Sequence, residues 1–262
     1  MDWHVKLQSM TKSSEQILTG GTMTAVTRAG DTVRRAAGPW TPRVHQLLAH
    51  LRSQGITEVP EPLGFDIEGR EKLSFLPGTA AETLIGELRT DDVLTQAARM
   101  LRRLHDATIG VAVEWTDGWQ SPPRQPVEVI CHGDFAPYNC LFEGGRLTGV
   151  IDFDNTCPGP RMWDISYAIY RFAPVTAPTN PEHFGSTGEQ ARRARLFCDA
   201  YGLEDRTGVV DALLERIKAM ADSLREGAAR GDKRFQANID AGHLKIYEDD
   251  LAYLIQHKRD FS

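Results

Sequence analysis

The chain has 262 residues, of which 41% are hydrophobic and 25% charged, and its formal net charge is −6. This composition is that of a globular protein with a substantial core, and the length suits one large domain or two small ones. The negative charge disfavours a general nucleic-acid-binding protein and is compatible with a cationic ligand. No apolar run reaches the ~18–20 residues that a membrane span needs, and the first residues show no signal-peptide core. We therefore expect a cytoplasmic protein that binds neither nucleic acid nor membrane.

Cysteine spacing indicates the redox state of the chain. Four cysteines stand at positions 131, 140, 157 and 198, without a CxxC pair or a regular framework. Reduced thiols packed as small hydrophobic side chains are the expected state, rather than a disulfide scaffold.

The first third of the chain predicts a small β-rich unit with one helix. Short β-prone runs are separated by turn residues at 16–18, 23–28, 32–35, 63–66 and 71–76. Between the third and fourth runs, apolar residues repeat at helical spacing from the proline at 42 to the glycine at 55. This repeat predicts a helix over 42–54.

After the Pro77-Gly78 break the chain is predicted to be mainly helical, apart from the region around 127–153. Apolar stripes at helical spacing predict helices over 92–108, 161–172, 189–201, 209–230 and 235–257. We therefore place the boundary at the break, with an amino-terminal unit of residues 1–76 and a carboxy-terminal unit of residues 77–262.

The most informative stretch of the chain is 129–154. An apolar strand leads into a His-Gly-Asp loop at 132–134, and a later strand pair is joined by a glycine–glycine hairpin turn. The hairpin places Asn139 and Asp152 at the same open end. Asp134, Asn139 and Asp152 can therefore converge on one small volume.

Phosphoryl transfer needs such a set of groups. A carboxylate orients the attacking hydroxyl and accepts its proton, while a second carboxylate and an amide oxygen hold Mg²⁺. The plain alternative makes Asp134 and Asn139 turn residues and Asp152 an acid that happens to end a strand. A zinc pair formed by His132 and Asp134 is another reading, but no second histidine cluster lies near it in the sequence.

His-x-Asp-x4-Asn, followed one strand later by Ile-Asp-Phe-Asp, resembles the aminoglycoside phosphotransferase (phosphotransferase enzyme) family, a relative of the protein kinases. The stretch 158–165 resembles the Gly-x-x-x-x-Asp segment of that family. The resemblance extends over nearly all of the chain and is tightest at 129–170. It implies an α+β, bilobal protein-kinase-like fold, with a small β-rich lobe that has one helix and a larger, mainly helical lobe.

The resemblance also implies roles for individual residues. Asp134 would be the catalytic base, and Asn139 and Asp152 would ligate Mg²⁺. Asp164 would brace the catalytic loop through hydrogen bonds, and His132 would be structural.

The same resemblance implies an ATP site in the amino-terminal unit. Gly20 and Gly21 stand where a glycine-containing loop would cover the phosphates, although a plain hairpin turn needs no ligand. Phe75 and Leu76 fall in the hinge, whose main-chain groups could hold the adenine edge. A buried edge strand is the alternative for the hinge segment.

Arg35 stands where the family usually has a lysine that pairs the α- and β-phosphates. An arginine keeps the positive charge but presents a different hydrogen-bonding geometry. The predicted helix 42–54 contains no acid, so the usual lysine–glutamate pair cannot form within it. His45 or Gln46 could contact Arg35 instead, although an ordinary surface position is the simpler expectation for both.

Three further segments look like a bacterial subgroup described as trifolitoxin-immunity-like. These segments are Arg34-Arg35, the stretch 38–42 and Gly69-Arg70-Glu71. The resemblance implies protection against a toxin or antibiotic and specifies no substrate.

Four acids are candidates for contact with the acceptor substrate. Asp154 follows the metal-site motif, and Glu248, Asp249 and Asp250 lie together in the last predicted helix. These three could neutralise an aminated ligand, but a solvated helix face explains them equally well.

The leading hypothesis is therefore an ATP- and Mg²⁺-dependent kinase of a small hydroxylated molecule, whether an antibiotic or a metabolite. The second hypothesis is a non-catalytic kinase-fold protein that sequesters a toxin or a nucleotide. A metal-dependent hydrolase is the third. The sequence carries no indication of the oligomeric state.

Overall fold

The computed structural model describes residues 15–18 and 26–261. Its amino-terminal part is an antiparallel sheet of the strands β1 Gln16–Leu18, β2 Val26–Ala29, β3 Thr32–Arg35, β4 Pro62–Phe65 and β5 Glu71–Ser74. The strand order in the sheet is β1-β2-β3-β5-β4. Helix α1, Thr41–Ser53, connects β3 to β4. The predicted β-rich unit with one helix is confirmed.

Helix α1 forms because one face of its sequence is apolar. The buried side chains of this face, each at most 2% exposed, are Val44, Leu47, Leu48 and Leu51. Their positions follow the i, i+3, i+4, i+7 spacing of a helix that packs on a core. The helix therefore has a fixed position relative to the sheet that it follows.

The pairing of β3 with β5 has a consequence for the functional site. In this antiparallel pair Arg35 lies directly opposite Glu71. Opposed side chains on neighbouring strands lie within contact distance and on the same face of the sheet. The sheet thus brings together an arginine and a glutamate that are 36 positions apart in the chain.

The larger part of the molecule contains three strand pairings and most of the helices. Strand β6 (Thr79–Ala80) pairs with β8 (Cys140–Glu143), β8 pairs with β9 (Arg146–Val150), and β7 (Val129–Cys131) pairs with β10 (Cys157–Gly159). The longer helices are α2 Asp91–Asp106, α4 Arg161–Phe172, α5 Thr187–Tyr201, α6 Val209–Ala229, α7 Lys233–Asp240 and α8 His243–Gln256. Two single-turn helices, α3 Ile109–Ala112 and α9 Lys258–Phe261, complete the described part.

The prediction of one continuous helix over 235–257 is wrong. The structure divides this region between α7 and α8, and Gly242 stands between them with φ +89°. A glycine adopts this left-handed conformation without the steric penalty that other residues incur. The apolar periodicity continues across the break, so periodicity alone did not reveal it.

The sheet-bearing part and the helical part are joined by direct contacts. The His50 ring, on α1, is hydrogen-bonded to the carbonyl of Ala107 at 2.8 Å, and the Val150 N–H donates to the Glu58 carbonyl at 2.7 Å. Apolar side chains of α1 and α2 belong to one buried cluster. The division at Pro77-Gly78 into residues 1–76 and 77–262 stays a prediction.

The state of the four cysteines agrees with the expectation of reduced thiols. All four cysteines are buried free thiols. Within the described part of the chain, every helix is too short or too polar to cross a membrane.

Candidate active site

The catalytic-loop motif begins where strand β7 ends. Residues 129–131 are almost completely buried, and the loop continues through Asp134 to a short 3₁₀ turn, Pro137–Asn139, that leads into β8. The Ile151 N–H donates to the Asn139 carbonyl at 2.9 Å. This bond ties the two ends of the β8–β9 hairpin together and places Asn139 beside Asp152.

Asp164, on α4, is hydrogen-bonded to the backbone of the loop that follows β7. Its carboxylate is fully buried and accepts hydrogen bonds from the backbone N–H groups of His132, at 2.6 Å, and Gly133, at 2.8 Å. His105 Nε2 lies 3.1 Å from the same carboxylate, and His105 Nδ1 lies 2.7 Å from the Tyr201 hydroxyl. Burial raises the pKa of Asp164, but these hydrogen bonds outweigh it, so the pKa lies below its ordinary value.

We expect Asp164→Asn to destabilise the fold by about 3 kcal/mol at pH 7, because the charged acceptor of two backbone N–H groups is lost. A depressed pKa stabilises the folded state above the unfolded-state value, which lies near 3.8, and that contribution disappears as the pH falls through the folded-state pKa. Urea unfolding at pH 7 and at lower pH measures both effects. The difference between wild type and variant should shrink on acidification.

A matched control is Asp199→Asn, which removes an exposed acid paired with Arg206. Exposed pairs contribute about 0–1 kcal/mol. An Asp164→Asn variant no less stable than this control would contradict the bracing role.

Gly133 is required at its position for two independent reasons. Its φ is +79°, and a Cβ atom there would lie 2.2 Å from the carbonyl oxygen of Asn155. A side chain would therefore push apart the loop that carries Asp134 and the turn that follows Asp152.

His132 has both ring nitrogens engaged inside the protein. Its Nδ1 accepts from the Asp134 N–H at 3.3 Å, which makes Nε2 the protonated nitrogen that donates to the Ile151 carbonyl at 3.1 Å. The ring packs against Phe135 and Phe153. These contacts link the loop that carries Asp134 to the loop that carries Asp152 and leave no ring nitrogen for zinc.

Asp134 is the central acid of the loop. Asn139 Nδ2 donates to Asp134 Oδ2 at 3.0 Å and to the Asp134 carbonyl at 2.9 Å, and the Tyr138 hydroxyl donates to Asp134 Oδ1 at 2.6 Å. Burial raises the pKa of Asp134 above its ordinary value. A carboxylate with a raised pKa is a better proton acceptor, as a general base requires.

The oxygen donors beside Asp134 fit a hard divalent cation. Because Asn139 Nδ2 is engaged with Asp134, the amide oxygen is the atom left to ligate a metal. Asp152 is partly exposed and has φ +63°, a left-handed conformation that costs an aspartate about 1 kcal/mol or more. Amide and carboxylate oxygens are the ligands that Mg²⁺ prefers.

Arg35 contacts the same acids. Its Nη1 lies 3.1 Å from Asp152 Oδ1, and its guanidinium makes a two-pronged contact with Asp154, at 2.6 and 3.1 Å. Burial raises the pKa of Asp154 even though Arg35 lowers it. The sequence motif did not indicate this pairing, which places the arginine beside both carboxylates.

Glu71 holds Arg35 from the other side. It is 1% exposed, contacts Arg35 Nε, and lies 3.0 Å from His45 Nε2. Burial raises the pKa of Glu71, but the contacts with His45 and Arg35 lower it by more. The pKa therefore lies below its ordinary value, and the carboxylate is ionised. An acid on β5 thus orients the arginine, although helix α1 contains no acid. His45 acts through Glu71, and Gln46 instead bonds to Arg43.

The hinge prediction meets one constraint. The Phe75 N–H donates to the Asp31 carbonyl at 2.8 Å, so a nucleotide base would have to use other main-chain groups, such as those of Leu76. Gly20 and Gly21 lie outside the described residues, and their assignment to the phosphate loop stays a prediction.

The acids proposed to contact the acceptor have separate environments. Asp250 is fully buried and accepts hydrogen bonds from Tyr170, Asn180 and the Ala177 N–H, at 2.6 to 2.7 Å. These bonds connect α8 to α4 and to the loop after it, so Asp250 has a structural role.

The two neighbouring acids are nearer the surface and are paired. Glu248 contacts Arg225 at 2.7 Å, and Asp249 contacts Lys245. A ligand would therefore have to compete with a cation of the protein at either acid. The structure does not bring the three acids together as one free acidic surface.

His105, Cys131 and Asp164 lie close enough together that their ligand atoms are all within 4.8 Å of one another. Both nitrogens of His105 are hydrogen-bonded, and the Cys131 thiol is directed to the Pro160 carbonyl at 3.3 Å. Burial raises the pKa of this thiol well above its ordinary value. The group therefore forms a hydrogen-bonded support for the loop.

Sequence reasoning missed His105, Tyr138 and the role of Glu71. Each gave a signal that could have been read. His105 interrupts the apolar face of α2, Tyr138 lies inside the catalytic motif, and Glu71 opens a strand in which it is almost completely buried. A polar side chain at a buried position needs a partner, and here the partners are residues of the candidate site.

The β-rich amino-terminal part and the larger helical part together form a protein-kinase-like fold. Residues 32–121 and 109–209 match the phosphotransferase enzyme family, and the chain belongs to that family.

Among curated proteins, the chain is 34% identical over 227 residues to the trifolitoxin immunity protein of Rhizobium leguminosarum bv. trifolii. The alignment covers 82% of this chain and 86% of that protein.

Solved structures of low sequence identity share the fold. The GDP complex of wild-type aminoglycoside 2′-phosphotransferase-IIIa has a TM-score of 0.63 at 17% identity, over 93% of this chain and 94% of that one. An amicoumacin kinase in complex with AMP-PNP and Ca²⁺ has a TM-score of 0.60 at 14% identity, over 88% and 89%. The predicted protein-kinase-like fold is confirmed.

Proposed function

We propose that this chain is an ATP- and Mg²⁺-dependent phosphotransferase that moves the γ-phosphate to a hydroxyl group of a small molecule. The observation that carries the proposal is the contact of Asp134 with Asn139 at 3.0 Å, on a loop whose backbone is bonded to buried Asp164. Asp152 completes the set at the mouth of the β8–β9 hairpin. The predicted cytoplasmic location is part of this proposal.

Each residue has a separate task in the proposed reaction. Asp134 accepts the proton of the acceptor hydroxyl while the hydroxyl oxygen bonds to the γ-phosphorus, and the bond from that phosphorus to the oxygen of the leaving ADP breaks. Asn139 and Asp152 would hold Mg²⁺, which when bound neutralises charge on the phosphates. Arg35, oriented by Glu71, would donate hydrogen bonds to the phosphate oxygens in place of the usual lysine.

Arg35 must exchange partners for this to occur. Its guanidinium is paired with Asp152 and Asp154 in the structure. Phosphate oxygens are equivalent acceptors for a guanidinium, and a divalent cation replaces its charge at the carboxylates. The arginine can therefore pass from the acids to the phosphates without being left unpaired.

The acceptor is a small hydroxylated molecule, an antibiotic or a metabolite. Support for an antibiotic comes from the aminoglycoside and amicoumacin enzymes that share the fold. Apart from the proposed metal ligands Asn139 and Asp152, the polar side chains that act on Asp134 are Tyr138, His132 and Arg216, and Arg171 lies beside the Tyr138 ring. A neutral or anionic acceptor therefore fits this environment at least as well as a cationic one.

The competing function is a non-catalytic immunity protein that sequesters a toxin or a nucleotide. The name of the Rhizobium relative and the engagement of Arg35 with Asp152 and Asp154 favour it. The intact set of Asp134, Asn139 and Asp152 favours the enzyme.

One experiment separates the two functions. Purified protein is incubated with Mg·ATP and a panel of aminated antibiotics, neutral and anionic alcohols, and ADP release is followed over time. We expect one class of acceptor to stimulate release and Asp134→Asn to abolish it. Nucleotide binding without any ADP release would favour the non-catalytic function, and release unchanged in Asp134→Asn would exclude Asp134 as the base.

A further inference from the structure

The Tyr138 hydroxyl stands where an acceptor hydroxyl is expected. It donates to Asp134 Oδ1 at 2.6 Å, which is the contact that a general base makes with the hydroxyl that it activates. The other oxygen, Oδ2, accepts from Asn139 Nδ2. Both oxygens of the base are therefore engaged by side chains of its own loop.

A second tyrosine holds Tyr138 in place. The hydroxyls of Tyr138 and Tyr167 are 2.5 Å apart. Tyr138 has one proton and gives it to Asp134, so Tyr167 is the donor to Tyr138. Phenols are protonated near neutral pH, so both hydroxyls have a proton to donate.

The rest of the Tyr138 side chain is also held. The residue lies in the short 3₁₀ turn Pro137–Asn139, and the guanidinium carbon of Arg171 is 5.4 Å from the centre of its ring. Tyr167 is fixed on α4, where it is buried. The hydrogen bonds from Tyr167 to Tyr138 and from Tyr138 to Asp134 therefore connect helix α4, which also carries Asp164, to the loop of Asp134.

We propose that Tyr138 guards the catalytic base. While no acceptor is bound, its hydroxyl occupies the position on Asp134 from which a water molecule would otherwise be activated to attack ATP. In that hydrolysis the water oxygen bonds to the γ-phosphorus, the bond to the ADP oxygen breaks, and Asp134 takes the water proton. An acceptor hydroxyl displaces the phenol and enters the same position.

This proposal rests on the proposed phosphotransferase function and concerns regulation of the same site. It requires no identified acceptor, because the reaction that the guard suppresses uses only Mg·ATP and water. The experiment measures ADP release from Mg·ATP without acceptor, for wild type, Tyr138→Phe and Tyr138→Ala. The phenylalanine variant removes the donor to the base, and the alanine variant also opens the space that the ring fills.

We expect acceptor-independent ADP release to rise about threefold to tenfold in at least one of these variants, the range that one hydrogen bond represents. Tyr253→Phe is the matched control, since its hydroxyl contacts Thr187 and Gln190, away from the loop. That variant should release ADP at the wild-type rate. Thermal unfolding of every variant identifies any loss of the folded state.

Three results would overturn the guard. Release that is unchanged or lower in both folded Tyr138 variants, while wild type consumes ATP, removes the guard alone. Phosphate found on Tyr138 by peptide mass spectrometry makes the phenol an acceptor instead. Mg·ATP binding with no ADP release by any variant, with or without the acceptor panel, removes the phosphotransferase function and the guard together.

Discussion

Asp134→Asn is expected to lower the turnover number by about 10³-fold. The amide is nearly isosteric with the carboxylate but cannot take the proton of the attacking hydroxyl. It also faces the donors Tyr138 and Asn139, which both give hydrogen bonds to the carboxylate. The measurement is ADP release from Mg·ATP with the best acceptor of the panel.

Nucleotide binding should survive this change, because Asp134 contacts the acceptor rather than the phosphates in the proposed reaction. Isothermal titration with Mg·AMP-PNP, compared with wild type, verifies that the variant still folds and binds. Asp199→Asn, at the exposed pair with Arg206, controls for the loss of one acid. Retention of more than a tenth of the wild-type turnover would exclude Asp134 as the base.

Arg35→Ala is expected to weaken Mg·ATP use by about 30- to 100-fold in kcat/KM for the nucleotide. The figure corresponds to one strong charge-assisted hydrogen-bonding group. Arg35→Lys keeps the charge and should recover part of the loss, since lysine is the usual residue of the family at this place. The kcat/KM of Glu71→Gln should lie between the values of Arg35→Ala and Arg35→Lys, because Arg35 stays but loses the buried carboxylate that orients it.

The Arg35 variants also distinguish two roles for this residue. If Arg35 binds phosphates, its removal raises the KM for ATP. If it serves only to neutralise Asp152 and Asp154, its removal leaves two free carboxylates, and affinity for Mg²⁺ increases while the KM for ATP is unchanged. The second result would contradict the phosphate-binding role. Arg34→Ala is a suitable control, since Arg34 pairs with Glu15 on the exposed side of the same strand.

The effect of Glu71 reaches beyond the amino-terminal sheet. The chain of contacts runs from His45 through Glu71 and Arg35 to Asp152 and Asp154. These contacts join α1 and β5 to the loop of Asp152 and Asp154 in the helical part. A change at His45 should therefore alter nucleotide kinetics even though that side chain touches neither proposed metal ligand.

Local sequence was sufficient for the centre of the site. Asp134 and Asn139 are five residues apart, and a loop of that length with a proline and a following hairpin has few ways to arrange itself. The bracing role of Asp164 was available from the resemblance alone. The structure shows its chemical form, two backbone N–H groups bonded to one buried carboxylate.

Long-range pairing was beyond the sequence. Glu71 meets Arg35 because strands β3 and β5 align in one particular register, with a helix and another strand between them in the chain. A shift of one residue in that register would turn Glu71 to the other face of the sheet. The sequence shows that a glutamate stands at position 71, but it does not show which residue of β3 lies opposite it.

By itself, the sequence of this protein predicted a phosphotransferase and indicated Asp134, Asn139 and Asp152 as candidate site residues, because short local motifs carry those features. Only the tertiary structure decided what surrounds them: Glu71 and His45 behind Arg35, His105 behind Asp164, Tyr138 on the base, and Asp250 inside the core. The physical reason is that a buried polar group must find a partner. Which partner it finds depends on how distant helices and strands pack, and that is not encoded in any one segment.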